Sequence, residues 1–376
     1  VRMLLELDRT QSWRISRVLL TTNPNEILHE SPAPKGLSLI IDAAERAGAT
    51  SASAKQARGV VSAFAGLIAK FPDGAVGLKG ALASRVPRAE EAAMNAARSK
   101  IAQGMSQLLG IKAAVRYVAS IVCPSEGFDG LADVIAVAGY KDLRRLRAGP
   151  TPAIFSGRTC TKSADASAPA VETLEGTTDP DPRTRLLDDF SEMEHDSLVL
   201  ETSGEERRLV LAPDQPPLNE PMTLFFAQRL SRSLETVASG KAEHDLIHHT
   251  PLLLSDVNTF DTLIHESLFT ASDPPAVTVE RFGFDPGVQR AKPEDAVYRV
   301  GQGERTQDLG RGLRRATIRA VPRVPDLLKY TFERVGLDPS EYRMYRATKK
   351  HIPPGFAVVI WLRAEGATGP SVPVVL

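Results

Sequence analysis

Near residue 150 the spacing of apolar residues changes character. Before that point they recur every three to four positions; beyond the Ser/Thr/Ala/Asp/Pro-rich stretch that follows, they mostly alternate. A chain that switches period in this way builds two kinds of layer and cannot be one helical bundle or one β-sandwich. We therefore expect an α+β protein: an alanine-rich, all-helical N-terminal part followed by a strand-rich α+β C-terminal part.

In the first part, Leu4, Leu5, Trp13, Ile15, Leu19 and Leu20 form an amphipathic stretch that stops before Asn23-Pro24. Leu37–Ala47 reads as a second helix, stopped by Gly48. Ser51 or Ser53 caps a third, which runs to Phe71 before Pro72-Asp73-Gly74. Pro87 suits a helix start, with Ala92–Leu109 following. Ile111–Val122 and Asp129–Leu146 read as two more helices. High helix propensity and close helix packing both favour the abundant alanine.

Gly149-Pro150-Thr151-Pro152 closes this region, and residues 149–185 read as a linker or extended loop. Leu198–Leu200 and Leu209–Leu211 flank Ser203-Gly204 as a hairpin. Met222–Val237 is expected to be an amphipathic helix. Strands are expected at Leu252–Leu254, Val277–Val279, Val297–Val300, Ala316–Arg319, Tyr342–Ala347 and Ala357–Leu362. Pro325–Val335 is a helix with Gly336 as its stop. The expected domains are residues 1–148, helical, and residues 186–376, α+β, the latter allowing a division near residue 270.

The chain has 376 residues, 42% of them apolar and 24% charged, enough to build more than one core. Lys plus Arg equals Asp plus Glu at 46 each, so no net field draws the chain to nucleic acid or anionic membrane. Two cysteines, Cys123 and Cys160, make no disulfide framework and point to a reducing compartment. The first residues show no long apolar run, and no window has the length of uninterrupted apolar residues that a membrane helix needs. The expected location is the cytoplasm, or a virion-like particle assembled there.

The sharpest chemical constellation is Glu243-His244-Asp245-Leu246-Ile247-His248-His249. On a helix, His244 and His248 would share a face at the spacing that holds zinc, with His265 or Glu266 as distant third ligand. Asp245 stands where a metalloprotease has its glutamate base, and Gly240 and Pro251 bracket the segment closely. His195-Asp196 and His265-Glu266 are neighbours in sequence, which point apart on a strand and so make no dyad. Gly301-Gln302-Gly303 and Gly310-Arg311-Gly312, with Arg305, Arg314, Arg315 and Arg319, could cradle phosphate but match no nucleotide-binding motif. Lys141–Arg147 puts Lys141, Arg144, Arg145 and Arg147 together, a basic helix end or a nucleic-acid contact. Trp13 and Trp361 read as core or interface anchors.

No catalytic, metal or cofactor motif is complete, so no site residue, metal or cofactor is expected. Long polar connections such as Thr173–Pro182 and Leu211–Pro221 suit arms that order against a partner. The expected function is a structural or assembly subunit working through contacts with other protein subunits, in a homo- or hetero-oligomer. Phage-tail or baseplate machines contain subunits of this style, although no motif carries that analogy. The alternatives are a metal-dependent hydrolase built on His244 and His248, and a regulator with a nucleic-acid-binding helical part.

Overall fold

The structure is a computed structural model. It describes residues 9–83, 85–158, 170–179, 181–203, 206–213, 215, 217–235, 244–249, 252–268, 275–281, 304–352 and 355–363. The expected strand at 297–300, the glycines at 301 and 303, Cys160 and the tail 366–376 lie outside them. The chain divides into two units, Val1–Ala97 and Arg98–Leu376.

The first unit is helical: α1 (Arg9–Leu20), α2 (Pro24–Glu30), α3 (Pro34–Arg46), α4 (Ser51–Ile68) and α5 (Ala75–Ala83), with the start of α6 (Pro87–Leu109). Local chemistry sets the starts. The Asn23 side chain accepts from the Asn25 amide, and Thr50 accepts from the Ser53 amide. Proline occupies the first turn of α2 and α3. The core here is thin: Ile40 and Ala43 form one small cluster with Ile15 against it.

Helix α6 ends at Gly110, whose φ of 71° puts it in the left-handed region. The two helices expected after it are strands: β1 (Ile111–Pro124) and β2 (Leu131–Arg145), paired antiparallel. Met222–Glu235, also expected to be helical, is strand β7. These strands lie inside a sheet covered on both faces, so their apolar runs show no alternation and look like buried helix. The β-branched content of β1 and β2 was the better guide.

A seven-stranded mixed sheet has the order β12-β13-β9-β1-β2-β7-β4, where β4 is Ala170–Glu172, β9 Ser255–His265, β12 Gln307–Arg311 and β13 Tyr342–Lys350. Strands β1 and β9 run parallel; the other neighbours are antiparallel. On one face the odd-numbered residues of β1, from Val115 to Cys123, pack with Val324, Leu327, Leu328 and Phe332 of helix α7 (Val324–Val335). On the other, Val118 and Val122 pack with Val277, Val279, Val358 and Ile360 of a four-stranded sheet. That sheet has the order β11-β10-β14-β8, with β8 His244–His249, β10 Ala276–Arg281, β11 Glu304–Arg305 and β14 Phe356–Arg363. A third cluster joins Tyr140, Leu224 and Phe226 to Leu198, Leu209 and Leu211 of a smaller sheet. Its order is β3-β6-β5, from Phe155–Arg158, Glu206–Leu211 and Leu198–Ser203.

The β5–β6 hairpin, α7 and the two late strands follow the sequence expectation. Leu252–Leu254 is instead the bend before β9, and Ala316–Arg319 is turn with a single bridge from Ile318 to Val321. Short runs there carry too few residues to decide their own state. The stretch expected as linker contributes β3 and β4.

Candidate functional site

On the α7 side of the large sheet, a cleft of about 270 Å³ opens beside β7. Ala227 of β7 lies at its floor, with Leu174, Leu187 and Phe190 around it. Tyr330 and Arg334, one turn apart on α7, form a wall. The Tyr330 and Phe190 rings meet edge to face, with centroids 5.4 Å apart. Glu175, Asp188 and Asp189 supply carboxylates at the rim.

Partners already engage most of these groups. Arg334 Nε donates to the Tyr330 hydroxyl at 3.0 Å and faces Glu175 at 3.6 Å. The Tyr330 hydroxyl, with Glu175 beyond it, holds Arg334 above its ordinary value. The guanidinium of Arg323 lies over the Phe190 ring at 4.6 Å. His195 pairs with Asp188 at 2.9 Å, not with its sequence neighbour Asp196. A short 3-10 turn at Asp188–Phe190 and another at His195–Ser197 bring them together, and no sequence spacing announces that pairing. The cleft presents carboxylates, guanidinium groups and ring edges.

Two buried ion pairs hold the sheet behind this surface. Asp261 of β9 accepts from Arg346 Nε at 2.6 Å and Nη2 at 2.7 Å, and from the Tyr117 hydroxyl at 2.8 Å. Burial pushes the Asp261 carboxyl up, against the pull of Arg346 and Tyr117. Asp133 of β2 accepts from Ser125 Oγ at 2.5 Å, Arg229 Nε at 2.9 Å and the Arg232 amide at 2.7 Å. Arg232 has a φ of 55°, so this carboxylate fixes an irregular turn of β7. Both acids are saturated with donors and act as staples.

The residues singled out in the sequence are dispersed. The backbone from His244 to His249 is a strand, so the zinc reading of His244 and His248 on one helical turn does not hold. His265 ends β9, bonded to Ser267 Oγ at 2.7 Å and near Glu341 at 3.4 Å; Glu266 holds Arg311 at 2.6 Å. Among the described residues no group of three His, Cys, Asp or Glu side chains could hold a metal. Lys141–Arg145 is strand, not helix, which removes the groove-reading geometry. Arg145 donates to the Ala212 carbonyl at 2.7 Å and to that of Pro213; Arg144 donates to the Asn219 carbonyl at 2.8 Å. Arg314, Arg315 and Arg319 stand exposed in the turns between β12 and α7. Cys123 is buried, and Trp13 is exposed beneath the Arg17 guanidinium, so it anchors no core.

No family model matches the sequence, and no curated protein matches it. Among solved structures, a crystal structure from Parabacteroides distasonis described as that of a candidate protease matches at a TM-score of 0.26 and 7% identity. The match covers 67% of this chain and 40% of that one. A likeness of that size carries no chemistry across. No helix among the described residues is long and apolar enough to cross a membrane.

Proposed function

We propose that the chain is a structural subunit of a larger protein assembly, working through protein–protein contacts made largely by its helical first unit. One observation carries this reading. The helices of that unit leave large apolar side chains in solvent: Trp13, Leu19 and Leu20 on α1, Leu39 on α3, Val60 on α4 and Val76 on α5, with Leu20 86% exposed. The same helices bury few large residues, chiefly Ile40, Phe64 and Leu78. A unit that keeps so much apolar surface outside and so little inside gains most by association. The saturated ion pairs of the second unit suit a rigid scaffold.

The test is native mass by light scattering on a sizing column over a range of concentrations. The expected result is an oligomer, or a mass that climbs with concentration, and a return towards the monomer in a Trp13→Ser, Leu20→Ser double variant. A monomer at every concentration, in the full chain, would overturn self-assembly as the mode of action.

A further inference from the structure

One side chain on the covered face of the large sheet is at odds with its surroundings. Arg116 of β1 is 7% exposed, and its neighbours on the two flanking strands are Tyr140 of β2 and Asn258 of β9. Its guanidinium interacts with the Tyr140 side chain and lies over the Phe260 ring, 5.7 Å from the centroid. Phe260 belongs to the core under the four-stranded sheet and Tyr140 to the core under the three-stranded one. Arg116 therefore sits at the seam between them.

Neither partner carries a full negative charge, and among the described residues Nη1 of Arg116 has no hydrogen-bond acceptor. Opposite it, Asn258 is 1% exposed; its Oδ1 accepts from Ser255 Oγ at 2.8 Å while its Nδ2 is likewise without an acceptor. Asp256, two residues back on the same face of β9, is held by Lys112 at 2.8 Å and faces His351 at 3.7 Å. A buried guanidinium without a counter-charge is expensive, as is each buried donor left unmade. Burial draws Arg116 below its ordinary value, with only Tyr140 pushing back. The other buried charges already described, Asp133 and Asp261, have their counter-ions in place.

We propose that the seam holds a small oxyanion, of the phosphate or carboxylate class, that accepts from Arg116 Nη1 and Asn258 Nδ2. Such an ion supplies the missing acceptor to both donors and the missing charge to the guanidinium. Because it is enclosed by strands from both halves of the sheet, it is a structural ligand taken up on folding. Its signature is a stability that depends on anion concentration.

The experiment is urea unfolding and refolding of the full chain, after dialysis into an anion-poor zwitterionic buffer. Inorganic phosphate or acetate is then added at low millimolar concentration, against chloride at matched ionic strength. The midpoint is expected to climb with the logarithm of phosphate or of acetate, and which of the two acts identifies the class. In Asn258→Asp the protein brings its own carboxylate beside Arg116. That variant should have the higher midpoint in anion-poor buffer and no response to added anion. If Asn258→Asp does not fold, Arg116→Met takes its place and should be equally indifferent. A wild-type midpoint flat in both anions would overturn the proposal and leave buried water as the acceptor. So would an anion response that survives in either variant.

Discussion

Gly139 shows how tightly single residues are specified in the large sheet. It stands between Tyr117 on β1 and Phe225 on β7, and those rings meet edge to face across it at 6.4 Å. A Cβ there would lie 2.2 Å from Phe225 Cδ1 and 2.3 Å from the Leu224 carbonyl oxygen. The ring could turn away, but the backbone oxygen could not. Gly139→Ala should therefore cost about 1–3 kcal/mol, read as a lower urea midpoint, and Phe225→Ala should not restore it. Cys123 illustrates the same enclosure chemically. Burial pushes its thiol up to about 12, and Asp133 adds to that shift. In a Cys160→Ser background, Cys123 should react with a thiol reagent at pH 8 no faster than the chain unfolds, since the thiolate is the reactive form. Labelling on the timescale of an exposed thiol would show that β1 opens locally.

Helix α7 was legible in the sequence because it is covered on one face only. Val324, Leu327, Leu328, Thr331 and Phe332 are buried at helical spacing, and Gly336 closes the helix with a φ of 70°. The Leu337 amide reaches back to the Phe332 carbonyl at 3.0 Å, completing the turn. Leu328→Ala should cost about 2–5 kcal/mol, because Leu328 has no exposed surface through which its site could collapse. Gly336→Ala should cost about 1 kcal/mol from its left-handed backbone alone, as nothing lies within 4 Å of the added carbon. Strands β1, β2 and β7 were illegible for the opposite reason. They are covered on two faces, so Ile111–Cys123 shows no alternation, its polar Lys112, Arg116 and Ser120 falling every four residues, and the distinction between helix and strand falls to propensity. The cleft was hidden differently. His195 and Asp188 are seven residues apart and meet only because successive 3-10 turns fold the chain back. The constellation at His244 and His248 presumes a helical turn, and the backbone there is a strand.

At the scale of the whole chain, the hydrophobic clusters fall cleanly by unit. The three large ones draw only on residues beyond 108, and the small one only on Ile15, Ile40 and Ala43. Hydrophobic burial is the main favourable term in folding, so the helical unit, with the smaller core, holds the smaller reserve of stability. Thermal unfolding followed by circular dichroism should therefore show an early transition that loses helix and a later one that loses strand. Association through Trp13, Leu19 and Leu20 would bind the folded helical unit and not its unfolded form. Mass action then raises the early transition with protein concentration and leaves the late one in place. The Trp13→Ser, Leu20→Ser variant should lose that concentration dependence, even though both side chains are exposed and their removal costs the isolated unit little. An early transition that stays put over a hundredfold change in concentration would mean that the exposed apolar helices do not meet their own kind. The partner would then have to be a different chain.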